Sequence, residues 1–299
     1  MRFCALLVCL AAATLVENAA AEETMPIEVY AQVSHETPYV LSLSKGRGKL
    51  LYVGIDHSTD PESQTIKTIQ QLWGSENPDI VLIEGIFPPT PSNSLFEATR
   101  SSGEAGATAF LAKLRTTETA SLELPFDDEV TVLLKEFTPE QVALFYSLRV
   151  LAQERQRNGS DALTDHLTRR LIPWLARSAP LGQVITSEES LKSLVSKQLP
   201  ELSDWREAPL IWFDPMPQSG ALFTHAIARR LVQLRDGHMA KRVADHVAQG
   251  QNVFAVVGAS HVVMQEDRIR SALGCPVRED TNDAVRLPPL FLKCDAPGE

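Results

Sequence analysis

The sequence NVFAVVGASHVVMQ, residues Asn252 to Gln265, is the stretch that decides the fold. Its five apolar residues from Val253 to Val257 run without interruption and stop at Gly258. A short run of this kind, rich in β-branched residues, is typical of a strand buried on both faces of a parallel sheet. The residues that follow, as far as His261, leave the strand at its carboxyl end, where open α/β sheets bind ligands.

The same pattern occurs near the start of the chain. Leu50 to Val53 is a second short apolar run, and Gly54-Ile55-Asp56-His57 follows it directly. Both runs therefore end in a glycine with a histidine three residues later. Because the carboxyl ends of parallel strands meet at one edge of a sheet, we expect the imidazoles of His57 and His261 to lie close together.

The segments around these two motifs predict the other elements of a sheet. Tyr39 to Leu43 and Leu50 to Val53 are separated by a Gly-containing turn, which favours a β-hairpin. Asp60-Pro61-Glu62 is typical of a helix start. Ile80 to Ile83 is a third apolar run and ends at Glu84, so a carboxylate is expected at the same edge as the two histidines.

The middle of the chain has a different character. From about residue 88 to residue 215 the pattern is helical, with no convincing strand. We interpret this range as a helical insertion that covers the site, although a helical layer packed on the sheet fits nearly as well. The predicted fold class is α/β, with a central, mostly parallel sheet, flanking helices and this insertion.

The last third predicts a long helix, a short helix and two edge strands. Ser219 is a candidate N-cap for the long helix, which would run to His246 with a break or bend at Gly237. The short helix would span Glu266 to Leu273. The edge strands would be Cys275 to Val277 and Leu287 to Leu292.

The first 21 residues predict a secretory signal peptide. A basic start is followed by an apolar run from Phe3 to Val16, and Ala19-Ala20-Ala21 offers a cleavage site near Ala21. Residues 22–299 would then form a single domain, secreted or periplasmic, with no other stretch apolar enough to span a membrane. The net charge of −10 argues against nucleic acid as a partner.

Two cysteines, Cys275 and Cys294, lie outside the predicted signal peptide. Export would place them in an oxidising compartment, so we expect a disulfide that ties the end of the chain together. Two buried free thiols are the alternative.

The residues with the strongest chemical signal are His57, Glu84 and His261, each at or just after a strand end. Two neutral imidazoles and one carboxylate suit a divalent transition metal and leave room for water or substrate. A metal ion there would polarise a carbonyl group and lower the pKa of water. The sequence therefore predicts a metal site that includes these three side chains.

Other polar residues near the motifs have two interpretations each. Ser260 lies in Gly-Ala-Ser-His-Val, which is similar to a nucleophile elbow except that Val262 replaces the second glycine. A supporting or substrate-binding role is expected for Ser260 instead. Asp56 is either a partner of His57 or a turn residue. Arg235-Asp236 could direct a guanidinium into the site or form a surface ion pair.

Four motifs in order resemble the TraB/PrgY/GumN family, which includes the Tiki proteins and is distantly related to the erythromycin esterase and ChaN-like groups. They are Gly54-x-x-His57, Glu84, Arg235-Asp236-x-x-Met239-Ala240 and Gly258-Ala259-x-His261. The likeness covers roughly residues 38–85 and 225–275. The chain departs from the family's pattern at Ile55-Asp56, at Asp236 in place of asparagine, and at Met264 in place of glycine.

The resemblance implies an α/β domain whose histidines, glutamate and arginine line one cleft. In Tiki-like members the cleft is that of a metal-dependent protease, with manganese or cobalt as the favoured ion. We therefore expect an exported hydrolase of peptidase-like activity on a peptide or other small substrate. Its cofactor would be manganese, cobalt or zinc, Glu84 and Arg235 would be catalytic, and Arg235 would stabilise a developing oxyanion. The alternative is a protein that binds haem or a peptide in the same cleft without catalysis.

Overall fold

The structure is a computed structural model that describes residues 24–85, 92–216, 222–276 and 290–294. The predicted signal peptide lies outside the described residues. So do the proline-rich start of the predicted insertion and the proposed N-cap Ser219. Val277 and the Leu287 end of the last predicted strand lie outside them as well.

The described residues form one sheet, with strands β1 (Tyr39–Lys45), β2 (Gly48–Ile55), β3 (Ile80–Ile83), β4 (Glu118–Ser121), β5 (Asn252–Gly258) and β6 (Leu292–Lys293). Their order across the sheet is β4-β3-β5-β2-β1-β6. The four strands β4, β3, β5 and β2 run parallel, whereas β1 pairs antiparallel with β2 in the predicted hairpin. β6 runs parallel to β1. The predicted α/β class with a mostly parallel sheet is confirmed.

The apolar runs of the sequence form the central strands of this sheet. β5 lies between β2 and β3, and every residue from Val253 to Gly258 is buried, as expected for a strand covered on both faces. β4 is different because its sequence, Glu-Thr-Ala-Ser, is polar and lies at the sheet edge. The expectation of no strand between residues 88 and 215 was wrong at this point, since an edge strand needs no apolar run.

The helices of the described residues are α1 (Ile27–Tyr30), α2 (Gln64–Ser75), α3 (Leu95–Leu114), α4 (Phe126–Leu133), α5 (Pro139–Asn158), α6 (Leu163–His166), α7 (Ile172–Leu175), α8 (Ala179–Gly182), α9 (Glu188–Gln198), α10 (Phe223–Ala248) and α11 (Ala259–Leu273). A π-helical segment, Leu167–Leu171, joins α6 to α7. Single 3-10 turns cover Ser160–Ala162, Trp205–Glu207 and Leu210–Phe213.

Three hydrophobic cores hold these elements together. On one face of the sheet α2 and α3 pack against β2, β3 and β5, with Trp73 and Phe254 in edge-to-face contact. On the other face α10 and α11 cover the same strands. The third core belongs to α4 to α9, which gather around α5. α3 and β4, although inside the predicted insertion, are therefore part of the sheet layer.

The long helix α10 belongs to two of these cores. Its first half places Ile227 and Leu231 in the helical core, whereas its second half places Met239 and Val243 on the sheet. The change occurs at Arg235-Asp236. This part of α10 is where it passes the carboxyl edge of the sheet, so both residues are positioned at the predicted site.

Three predicted helix boundaries differ from the structure. α2 begins at Gln64 because Ser63, and not Asp60, caps it. α10 is unbroken at Gly237, where the missing side chain makes room for Arg268 of α11. α11 begins at Ala259 and not at Glu266, so His261 lies in its first turn. The first residues of α11 are buried on nearly all sides, which removes the amphipathic pattern that would reveal a helix start.

The predicted disulfide is present. Cys275 and Cys294 are bonded, which ties the segment after α11 to the segment after β6. Within the described residues, no helix combines the length and the apolar character that crossing a membrane requires.

Replacing both Cys275 and Cys294 by alanine should lower the free energy of unfolding by about 3 kcal/mol, because the bond closes a loop with a sequence separation of 19. Chemical denaturation of the two proteins measures this difference. A reducing agent should destabilise the native protein and leave the double variant unchanged. Equal stability of the oxidised protein and the variant would contradict the assignment.

Candidate functional site

Four parallel strands each deliver one polar side chain to the same edge of the sheet. His57 follows β2, Glu84 follows β3, Glu123 follows β4 and His261 follows β5. The strand ends are level, since Ile83 pairs with both Ser121 and Val256, and Ile55 pairs with Gly258. The candidate site therefore lies at the carboxyl edge, where parallel sheets bind their ligands.

His261 is held in place by a buried chain of hydrogen bonds. Its Nδ1 lies 2.5 Å from Oδ1 of Asp236, which is only 1% exposed. The Nε2 of Gln265 donates to the same oxygen at 2.7 Å, and the hydroxyl of Tyr52 donates to Oε1 of Gln265 at 2.8 Å. The imidazole is thus fixed through Nδ1, and its Nε2 lies 3.5 Å from Oε1 of Glu84.

Glu84 is contacted from three directions. Its Oε1 accepts a hydrogen bond from Nη2 of Arg235 at 3.0 Å, next to the contact with His261. Its Oε2 accepts one from the backbone N–H of Gly258 at 2.9 Å. β5, α10 and α11 therefore all fix a carboxylate that belongs to the end of β3.

Arg235 is bound more closely by a second carboxylate. Its Nε donates to Oε2 of Glu123 at 2.8 Å and its Nη2 donates to Oε1 at 2.5 Å. Glu123 Oε1 also accepts the backbone N–H of Gly85 at 3.3 Å. The guanidinium is therefore clamped between the ends of β3 and β4.

His57 has a different environment because its side chain is 63% exposed. Its Nδ1 lies 2.6 Å from Oε1 of Glu104 on α3, and Oε2 of Glu104 accepts the backbone N–H of Ser58 at 3.2 Å. Both imidazoles of the site thus have a carboxylate on Nδ1, Glu104 for His57 and Asp236 for His261.

The glycine of the second motif keeps space open between these groups. A Cβ atom on Gly258 would lie 3.2 Å from Nε2 of His57 and 3.7 Å from Oε2 of Glu84. In the first motif, a Cβ on Gly54 would lie 2.8 Å from the Cα of Ala259, so β2 can approach the start of α11 only without a side chain. Close packing therefore excludes a side chain at Gly54, and a side chain at Gly258 would crowd the His57 ring.

A cleft of about 350 Å³ opens over this arrangement. His57 lines it together with three carboxylates, Glu84, Glu104 and Glu123. Arg235 and His261 are not among its lining residues and lie behind Glu84. A ligand in the cleft would therefore meet an imidazole edge and carboxylate oxygens first.

The charged groups of the site stabilise one another in their charged forms. Burial acts to lower the pKa of His261, but its hydrogen bonds with Asp236 and Glu84 outweigh burial and raise the pKa to about 9. Burial acts to raise the pKa of Glu84, whereas His261 and Arg235 hold that pKa far below its usual range. Likewise, Glu123 and Glu84 outweigh burial and raise the pKa of Arg235. The hydrogen bond with Glu104 raises the pKa of His57.

The structure brings together five of the residues expected at the site: His57, Glu84, Arg235, Asp236 and His261. The two others lie at its border. Asp56 is exposed, and its backbone carbonyl accepts the Thr65 hydroxyl at 3.1 Å, as suits a turn residue. Ser260 is half-buried in the first turn of α11.

Four residues of the site were not expected from the sequence: Tyr52, Glu104, Glu123 and Gln265. Glu123 follows the polar edge strand β4, which was itself missed. Gln265 lies in the part of α11 that the sequence did not predict to be helical. For Glu104 a signal existed, because Ser102-Gly103 immediately before it interrupts a helical segment.

The side chains fit a metal ion in donor type. Both imidazoles have Nδ1 bound to a carboxylate, which is how metal-binding histidines are usually oriented. Nε2 of His261 lies 3.5 Å from Oε1 of Glu84, and a Cβ on Gly258 would contact both Nε2 of His57 and Oε2 of Glu84. However, within the described part of the chain, no three His, Cys, Asp or Glu side chains form a ready-made metal-binding cluster. His57, Glu84 and His261 would have to draw closer together around an ion.

Protonated His261 should stabilise the metal-free protein. Its folded pKa of about 9 lies above the ordinary value of 6.5, so this stabilisation is complete below pH 6.5 and is lost as the pH rises towards 9. Its size is at most about 3 kcal/mol. The stability difference between the native protein and His261→Gln, measured by urea unfolding with a chelator present, should shrink over this range. A difference that does not vary with pH would contradict the charge assignment.

In a comparison with known proteins, no protein-family model, curated protein or solved structure matches the chain.

Proposed function

We propose that the chain is an exported, metal-dependent hydrolase with peptidase-like activity, whose site lies at the carboxyl edge of the sheet. The observation that carries the proposal is the matched support of the two imidazoles. A carboxylate on Nδ1 fixes each ring and leaves Nε2 towards Glu84. Metal-binding histidines commonly have this arrangement.

In this proposal His57, Glu84 and His261 would hold a divalent ion such as manganese, cobalt or zinc. The donor set of two imidazoles and one carboxylate is the set found in several catalytic metal sites. When bound, the ion would supply a Lewis acid that polarises a carbonyl group and lowers the pKa of water. The raised pKa of His261 implies that metal binding releases protons, because only the neutral imidazole can act as a ligand.

The chain's own residues would hold the ion and orient the substrate. Glu84 faces the cleft with its negative charge stabilised from behind, so it stays ionised and is suited to act as an anionic ligand and to orient a polar group of the substrate. Arg235 lies behind the cleft and is shared by two carboxylates, so we assign it to holding Glu84 and Glu123 in position. The oxyanion role suggested for Arg235 by the sequence stays a prediction.

Export is supported by two features of the chain. The apolar amino-terminal run predicts a signal peptide, and the disulfide between Cys275 and Cys294 is of the kind that persists in oxidising compartments. The motif resemblance to the TraB/PrgY/GumN family implies the same class of activity. The carboxylates that line the cleft favour a hydrolytic site over an apolar haem groove.

The protein purified without chelator should contain about one equivalent of manganese, cobalt or zinc, or should take it up when the ion is offered. His57→Ala and His261→Ala should each abolish this binding, because each removes one of the ligands. Elemental analysis and calorimetric titration measure the effect. His246→Ala, in the last turn of α10 and away from the site, is the matched control and should bind normally. Undiminished affinity in both site variants would disprove the ligand assignment.

The metal-loaded protein should cleave peptides, and Glu84→Gln should reduce the rate by about 100-fold or more, because the anionic ligand of the proposed ion is lost. Cleavage of a mixed peptide library, followed by mass spectrometry, is a suitable assay. Glu118→Gln, which changes an exposed glutamate of β4, should retain full activity. A loaded protein that cleaves no peptide would rule out the peptidase proposal.

A further inference from the structure

The orientation of His57 depends on one side chain. The imidazole is mostly exposed and follows the end of β2 in a segment without regular secondary structure. Among the described residues, only Glu104 is hydrogen-bonded to the His57 ring. By contrast, His261 is buried in a helix and is fixed by Asp236, itself held by Gln265. His57 is therefore the less firmly held of the two histidines, and Glu104 is the residue that holds it.

A break in α3 places Glu104 at this position. Ser102 and Gly103 have non-helical backbone angles inside α3, and Gly103 has a φ of +57°, which favours glycine. A Cβ on Gly103 would lie 3.0 Å from the carbonyl oxygen of Ser58. The break thus lets α3 approach the segment after β2 closely enough for Glu104 to bind both His57 and the backbone N–H of Ser58.

We propose that Glu104 is the positioning residue that sets the ring orientation and the tautomer of His57. A carboxylate is an acceptor only, so the neutral ring must carry its proton on Nδ1. Nε2 is then left as a lone-pair donor beside Glu84 and Gly258. Neither the strand-Gly-x-x-His motif nor the four-motif resemblance includes Glu104. Glu104 belongs to α3, which packs on the face of the sheet opposite α10 and α11.

The expected effect of Glu104 on metal affinity rests on the proposed function. Its expected effect on the tautomer of the His57 ring does not. Removal of an acceptor that orients a metal-binding histidine typically reduces metal affinity by 10- to 100-fold. We expect a loss of about this size in Glu104→Ala, with an intermediate loss in Glu104→Gln, because the amide keeps an acceptor oxygen without the charge. Glu118→Ala, an exposed glutamate on β4, is the matched control.

The decisive measurement is made without metal. Nitrogen-15 NMR of the histidine side chains, at a pH where the ring is neutral, distinguishes the two tautomers, and the His57→Gln spectrum assigns the signal. The native protein should show the Nδ1-protonated form of His57. Glu104→Ala should show the Nε2-protonated form or a mixture, with the His261 signal unchanged. An unaltered His57 tautomer in Glu104→Ala would overturn the proposal.

The break in α3 is tested separately with a pair of glycines. Gly103→Ala keeps the Glu104 carboxylate but forces a side chain into a left-handed backbone position close to Ser58. It should move the His57 tautomer in the same direction as Glu104→Ala. Gly74→Ala in α2, where a Cβ meets nothing within 4 Å, should change nothing. A native tautomer in Gly103→Ala would show that the break does not position Glu104.

These results separate the two proposals. If the native protein binds no metal but the tautomer of His57 changes in Glu104→Ala, the proposed function fails and the positioning role stands. If metal binding is present and Glu104→Ala changes neither the tautomer nor the affinity, the proposed function stands and the positioning role fails.

Discussion

The ion pair between Arg235 and two carboxylates is the interaction on which the rest of the site depends. Glu84 and Glu123 follow neighbouring parallel strands and would repel each other at the sheet edge without a cation between them. Arg235 meets Glu123 through two parallel hydrogen bonds and Glu84 through one. Because all three groups are largely buried, removal of one would leave uncompensated charge, which typically costs 3–5 kcal/mol. Glu84, the carboxylate that faces Nε2 of His261, is thus held by the same guanidinium that pairs with Glu123.

The position of Arg235 follows from the way in which α10 is built. Its first half belongs to the helical core and its second half to the core on the sheet. A helix shared by two cores cannot rotate about its axis without losing apolar contacts in both. Arg235 and Asp236 lie where the two cores meet, so their side chains are directed at Glu84 and His261 by packing on either side. The precision of the site therefore comes from hydrophobic burial that is remote from it.

The sequence predicted the parts of the molecule whose physical signal is local. The apolar runs of β2, β3 and β5 needed no other information, and the polar residue after each run identified His57, Glu84 and His261. β4 and the first turns of α11, which were missed, have no local signal. β4 is polar because it is an edge strand, so Glu123 after it was not recognised. The first turns of α11 are buried all round, which concealed the helix that holds Gln265. Glu104 is distant from His57 along the chain, and only the fold brings the two together.

The two halves of the site are supported from opposite faces of the sheet, and this division has a consequence for function. His261 is oriented by α10 and α11, within a buried chain that ends at Tyr52. His57 is oriented by α3, through a contact at the mouth of the cleft. A ligand or ion that needs both imidazoles must therefore couple the helical layers on the two faces. The buried half supplies a fixed reference, because Asp236 and Gln265 leave the His261 ring no alternative position. The exposed ring of His57 can adjust its position, and its hydrogen bond with Glu104, which follows the break in α3, limits that movement.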